Sequence, residues 1–304
     1  MTVNLRKQVN MMTRKLLRPK VDVVFKLLFG DQRNVEILTE FLKSILSISD
    51  EEYKSITFGD PHLKREKLDD KLGIVDVLVH TTNGTVVHVE MQVLQQSDMP
   101  ERIAYYNAKI LTSQLKIGEK YGTLKKTISI VIADFDLIDN SNKYYHVFHQ
   151  SEIPTGIIFT DIIEIHTLEL GKIPENHDGT QMYEWTQFLK AEQEEEFEML
   201  AKKNPEIGKA VIELKRLSQE EENQYACIRR EMEIFDHNTR MNDAKRQGIT
   251  EGISQGISQG ISKNRIETAQ AMRAEGFDDV VIAKITKLSI DEIHELQETS
   301  QKDN

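Results

Sequence analysis

The chain of 304 residues contains a single cysteine, Cys227, so it can form neither an internal disulfide nor a cysteine-cluster zinc site. No run of eighteen apolar residues is present, and Met1 to Lys20 is basic without the apolar stretch of a secretory signal. The expectation is a cytoplasmic protein with no membrane partner. Basic residues are in deficit too: 39 lysines and arginines face 50 aspartates and glutamates, a formal net charge of −11, which on average opposes binding to phosphates. The average conceals an asymmetry. Before residue 27, Arg6, Lys7, Arg14, Lys15, Arg18, Lys20 and Lys26 are accompanied by Asp22 alone, whereas Glu192, Glu194, Glu195, Glu196 and Glu198 crowd a later segment. The basic end suits either phosphate or a solvated face; the acidic segment suits only the second. With 39% hydrophobic residues the chain can bury one substantial core, and one main domain with a tail is expected.

Local patterns divide the chain. Pro19 is placed for the first turn of a short helix carrying Val23, Val24, Leu27 and Leu28, which Gly30 would end. Val35, Leu38, Phe41, Leu42 and Ile45 mark the apolar stripe of a second helix. The period then changes from helical to alternating. Residues 73–80 and 85–93, separated by the turn signal Asn83-Gly84, read as two β-strands. Asp98 and Glu101 have capping-box spacing and open a helix expected to run to about Gly118. The apolar run Thr127 to Ala133 reads as a strand covered on both faces, and a further strand is expected near Ile162 to Leu170. This order describes an α/β (α+β) core with helices packed on a mixed sheet. The predicted divisions are a core at 1–180, a charged helical region at 181–246 and a helical C-terminal module at 247–304.

Within that last module Gly248-Ile249, Gly252-Ile253, Gly256-Ile257 and Gly260-Ile261 repeat every four residues. On a helix they make a glycine stripe flanked by isoleucines, suited to close pairing. Glycine also costs a helix roughly 0.8–1 kcal/mol relative to alanine, so a linker is the alternative. The final helices resemble a helix-turn-helix, although Ser289 with Glu292 is equally an ordinary capping pattern.

The hairpin carries the chemistry, and its loop length decides which residues share a face. A two-residue Asn83-Gly84 loop would pair Asp76 with Met91 and set the acids on opposite faces. A three-residue loop, Thr82-Asn83-Gly84, with Gly84 left-handed, pairs Asp76 with Glu90. The second register also sorts the side chains: Val75, Val77, Val79, Val87, Val89 and Met91 on one face, and Asp76, Leu78, His80, His88, Glu90 and Gln92 on the other. Hydrophobic patterning therefore favours bringing the acids together. Two carboxylates about 5 Å apart repel unless a cation or proton lies between them, and oxygen ligands suit Mg2+ or Mn2+. The plain alternative is a pair of acids facing water. His80 and His88 share the acid face without the spacing of a ligand motif, and are not assigned to zinc.

Asp76 followed across a hairpin by Glu90-x-Gln92 and then a helix resembles the core of the PD-(D/E)XK nuclease superfamily, with Gln92 where lysine is commoner. Asp22-x-x-Phe25-Lys26-x-x-Phe29-Gly30, Val89-Glu-Met-Gln92, Arg102 with Tyr105-Tyr106, and the Gly-Ile repeats resemble more specifically the recombination-promoting nuclease (Rpn) family, also described as putative transposases. Glu-x-Gln alone is a weak motif; the ordered set, spanning nearly the whole chain, is more specific.

The resemblance implies a restriction-endonuclease-like core and a Mg2+-dependent (or Mn2+-dependent) endonuclease that hydrolyses DNA phosphodiesters in recombination or mobile-element biology. Asp76 and Glu90 would hold the metal, and Gln92 would take the usual lysine's place without its charge. Accessory acids would be Asp22 or Glu36, unless Asp22 pairs with Lys26 and Glu36 with Lys43 or solvent. Lys26, Arg102, Tyr106 and Lys109 are candidate DNA contacts, the tyrosine by stacking on a base. Cleaving a duplex favours a homodimer, with the C-terminal helices as its interface. The competing readings are a catalytically degenerate DNA-binding or assembly protein that keeps the nuclease fold, and a self-associating scaffold.

Overall fold

A computed structural model describes residues 15–46, 49–63 and 73–300. The chain divides into two compact units, Met1–Phe235 and Asp236–Asn304.

The first unit is built on a six-stranded sheet of order β1-β4-β5-β6-β8-β7. Its strands are β1 (Thr57–Phe58), β4 (Val77–His80), β5 (Val86–Gln92), β6 (Thr127–Ala133), β7 (Tyr145–Ser151) and β8 (Ile158–Glu169). A separate ribbon pairs β2 (His62–Leu63) with β3 (Gly73–Ile74). The centre is parallel, β5 beside β6 and β6 beside β8, while β4 and β7 add antiparallel partners. Parallel strands must be buried on both faces, and every residue of β6 is buried. The sheet is therefore mixed and helix-flanked, as expected.

Helices α1 (Asp22–Phe29), α2 (Val35–Ile45), α4 (Gln181–Lys190), α5 (Glu194–Lys203) and α6 (Pro205–Ser218) cover one face; α3 (Met99–Thr112) covers the other. The larger core centres on Phe25, Phe29, Phe41 and Trp185, with Phe29 and Trp185 ring centroids 6.1 Å apart, packed on Val77, Val79, Val87, Val89 and Met91. On the far face Tyr106 and Ile110 of α3 pack on Leu78 and Val86.

Several expectations need correction. Pro19 lies in a turn before α1 rather than in its first turn. Asp98 is the N-cap of α3, but its side chain makes no capping bond, and the helix stops at Thr112. Val75 groups with Leu78 and Tyr106 instead of with Val77, because the chain bends at Asp76 and resets the alternation. Strand β7 was not expected at all: it is an edge strand with mostly exposed side chains, so no buried face marks it.

In the second unit the Gly-Ile repeats lie within one continuous helix, α7 (Glu221–Ala274), rather than a linker. Its end packs with α8 (Asp279–Thr286) and α9 (Ile290–Ser300) around Ala269, Ile282 and Ile293. The Ser289–Glu292 capping box forms, with Ser289 N–H donating to Glu292 Oε2 at 2.7 Å and Glu292 N–H to Ser289 Oγ at 3.2 Å.

Candidate functional site

The hairpin turn sets the geometry. Thr81 N–H donates to Thr85 O at 3.0 Å and Gly84 N–H to Thr81 O at 2.9 Å. Gly84 adopts φ +85°, a conformation in which a Cβ would be strained. The loop is thus Thr82-Asn83-Gly84, and pairing runs Val77 to Val89, Leu78 to His88, Val79 to Val87 and His80 to Val86. The ladder ends at Val77, and at the bend that precedes it the Asp76 carboxylate meets β5 through the Met91 amide. The three-residue alternative inferred from side-chain patterning is the one adopted.

Neither acid simply faces water. Glu90 is only 2% exposed; its Oε2 accepts from Gln92 Nε2 at 2.8 Å, and its Oε1 has no hydrogen-bond partner. Asp76 is part-buried, and its Oδ2 accepts the Met91 amide proton at 3.0 Å. Burial pushes the Asp76 carboxyl up to about 6, with Glu90 and Asp22 pushing the same way while the Met91 N–H and Lys26 oppose. A buried carboxylate beside a second carboxyl held high by burial is a site short of positive charge. Two carboxylates are also the donor set on which a small hard cation can sit while retaining several waters. Among the described residues, no group of three or more His, Cys, Asp and Glu side chains is gathered tightly enough to form a metal cage.

Helix α1 ends beside the Asp76 backbone. A Cβ at Gly30 would lie 2.6 Å from the Lys26 carbonyl oxygen and 3.6 Å from that of Asp76. The residues of Asp22-x-x-Phe25-Lys26-x-x-Phe29-Gly30 accordingly separate by role: Phe25 and Phe29 are core, Gly30 ends α1 where a Cβ would clash with the Lys26 carbonyl, and Lys26 is exposed near Asp76.

The accessory acids fall apart. Asp22 does not pair with Lys26; Arg230 grips it, with Nε 2.9 Å from Oδ1 and Nη2 2.6 Å from Oδ2. Glu36 is largely exposed and meets Lys209 at 3.7 Å, whereas Lys43 turns to Glu40 and Asp50. Of the two, only Asp22 contributes to the field at Asp76.

Tyr106 was expected to stack on a base. The structure buries it to 5% exposure among Val75, Leu78, Val86 and Ile110, because it faces the sheet while its neighbour faces out. Tyr105, 43% exposed, is the accessible ring, with Lys109 Nζ 5.7 Å from its centroid. Arg102 lies over Tyr106 at 5.3 Å and donates from Nη1 to Gln96 at 3.3 Å, leaving its buried Nε without a partner.

The basic N-terminal segment is only partly available for phosphate. Arg6, Lys7 and Arg14 lie outside the described residues. Lys20 pairs with Glu192 at 2.9 Å and Asp134 at 3.4 Å, and Arg18 donates to Glu231 from Nε at 2.8 Å. Acids distant in sequence have consumed these charges.

Sequence reasoning missed the polar residues behind Glu90. His88, 1% exposed, lies beneath it with Ser129 of β6 and Asn107 of α3. The only available signal was a histidine two residues before the acid on the same face; the pairing of β5 with β6 could not be foreseen.

No curated protein and no solved structure matches the chain. A family model described as "PD-(D/E)XK nuclease family transposase" matches residues 19–244. That span begins before α1 and includes the whole sheet, the paired acids and their flanking helices. With the mixed, helix-flanked sheet in agreement, the chain belongs to the PD-(D/E)XK nuclease family transposases.

Proposed function

We propose that this protein is a cytoplasmic, divalent-metal-dependent endodeoxyribonuclease acting in recombination or on mobile DNA, with Mg2+ or Mn2+ held by Asp76 and Glu90. The observation that carries the reading is the proximity of two acids shielded from water at one end of the hairpin: Glu90 is 2% exposed, and Asp76, whose Oδ2 accepts from the amide of Met91 beside Glu90, has its carboxyl pushed upward by burial and by Glu90. When bound, the metal would polarise a phosphoryl oxygen and lower the pKa of a coordinated water. The chain's own residues do the rest. Gln92 Nε2 holds one oxygen of Glu90, fixing the carboxylate's rotation. Being neutral, it orients without neutralising charge, so activity leans on the metal more than with a lysine. Exposed Lys26 and Tyr105, with Arg102 and Lys109, give α1 and α3 the charge and ring surface to receive a phosphate backbone and an unstacked base.

A homodimer through the C-terminal helices is part of the same reading. Ile249, Ile253, Ile257 and Ile261 are 53%, 59%, 59% and 49% exposed along α7, and a Cβ built at Gly248, Gly252, Gly256 or Gly260 meets nothing within 4 Å beyond the backbone of its own helix turn. Both observations support an apolar stripe open to a second copy. Among the described residues no helix is long and apolar enough to cross a membrane.

A second reading, a DNA-binding protein that keeps the fold without cleavage, draws on two observations. The Gln92 amide is spent on Glu90, and Asp22 is tied to Arg230. Incubating supercoiled plasmid with Mg2+ or Mn2+ separates the two. Nicking by the native chain and its loss in Asp76→Ala and Glu90→Ala supports the enzyme; equal nicking by all three signals a contaminant. DNA binding without nicking by any of them favours the second reading. Gln92→Lys then shows whether the glutamine impairs the site or is fitted to it.

A further inference from the structure

Glu90 is supported from below as well as from its flank. Asn107 Nδ2, on α3, donates to Ser129 Oγ at 2.9 Å, and Ser129 Oγ lies 3.3 Å from His88 Nδ1. His88 Nε2 in turn lies 3.3 Å from Glu90 Oε1, and neither atom is aligned into a hydrogen bond with any partner. His88 and Asn107 are each 1% exposed, Ser129 0% and Glu90 2%. Water is thus largely excluded from the row, and each proton must be assigned within it.

The assignment follows from donor counting. Ser129 Oγ already accepts from Asn107, and its own hydroxyl proton finds His88 Nδ1 as acceptor. The ring proton of neutral His88 then resides on Nε2, facing Glu90 Oε1. The opposite tautomer would place an imidazole lone pair 3.3 Å from a carboxylate oxygen in a dry environment, where nothing screens their repulsion.

We propose that His88 is a positioning residue for Glu90: its Nε2–H, fixed by Ser129 and Asn107, holds Oε1 as Gln92 holds Oε2. The acid is thereby kept correctly rotated for a divalent cation. This rests on the two-acid reading above and adds the row Asn107, Ser129, His88 to it. It also ties α3, which carries Arg102, Tyr105 and Lys109, to the strand carrying the acid. Partners of this kind tune metal sites by about 10–100-fold in affinity.

Two measurements on the full chain test it. Nitrogen-15 NMR of the metal-free protein, with the His88 ring assigned by its loss in His88→Gln, reads the tautomer directly; Nε2–H is expected. Calorimetric titration with Mn2+, without DNA, compares the native chain with His88→Gln, which keeps an N–H near the Nε2 position, and His88→Leu, which does not. Gln is expected to bind within about threefold of native and Leu at least about tenfold more weakly, with thermal melts showing that both variants are folded. A ring protonated on Nδ1, or a folded Leu variant binding as tightly as native, overturns the role of His88 while leaving the acids intact. Absence of Mn2+ binding by the native chain overturns the two-acid reading itself.

Discussion

Asp76→Asn isolates what the site costs the fold. The side chain keeps an acceptor for the Met91 amide, which now donates to Asp76 Oδ2 at 3.0 Å, and loses only the ability to ionise. In the native chain burial lifts the carboxyl from 3.8 to about 6. A folded-state value above the unfolded one means that this carboxyl favours folding fully below about pH 4 and withdraws that contribution as pH rises through 6. At about 1.4 kcal/mol per pH unit, ionisation near pH 8 costs roughly 2–3 kcal/mol, allowing for the part of the side chain that remains in water. Urea unfolding in EDTA should therefore show Asp76→Asn more stable than native by about that amount at pH 8, and equal to it near pH 4. Mn2+ at a hundredfold excess over its dissociation constant should return about 2.7 kcal/mol to the native chain, and little to the variant. Parallel pH profiles for the two proteins would show that Asp76 titrates as an ordinary surface acid, and the argument for a cation-seeking site would lose its electrostatic half.

Three further outcomes follow from other positions. Tyr106→Ala should cost about 3–5 kcal/mol in denaturant unfolding because it empties the small core under α3; Tyr105→Ala should leave stability within about 0.5 kcal/mol and weaken single-stranded DNA binding, measured by anisotropy, by about 1–3 kcal/mol. Gly84→Ala should destabilise by about 1–2 kcal/mol at its φ of +85° and reduce Mn2+ affinity as the hairpin register loosens. Gly252→Ala with Gly256→Ala, both with open space at Cβ, should raise helicity by circular dichroism, worth up to about 1 kcal/mol per site; if α7 pairs through its glycines, the mass in solution by light scattering should nonetheless fall.

The hairpin shows how much of the site was legible. Alternation of Val77, Val79, Val87 and Val89 pointed to a three-residue loop, because a one-residue slip would have turned one strand's valines away from the core; the bend at Asp76, which carries Val75 to the other face, was not legible. Strand β6 was equally plain, since an apolar run of seven residues suits few other places. Tyr105 and Tyr106 were not separable. Adjacent helical residues differ by about 100° in direction, and only docking of α3 decides which of them is core.

Local spacing by itself therefore determined the hairpin strands, β6, β8 and the first helices. Tertiary structure alone decided the charge environment: Arg230 on Asp22, Glu192 on Lys20, and Ser129 with Asn107 behind His88. Those partners are 208, 172, 41 and 19 residues apart along the chain. No periodicity reaches that far; packing of the sheet against its helices brings them together, and burial then gives each contact its strength.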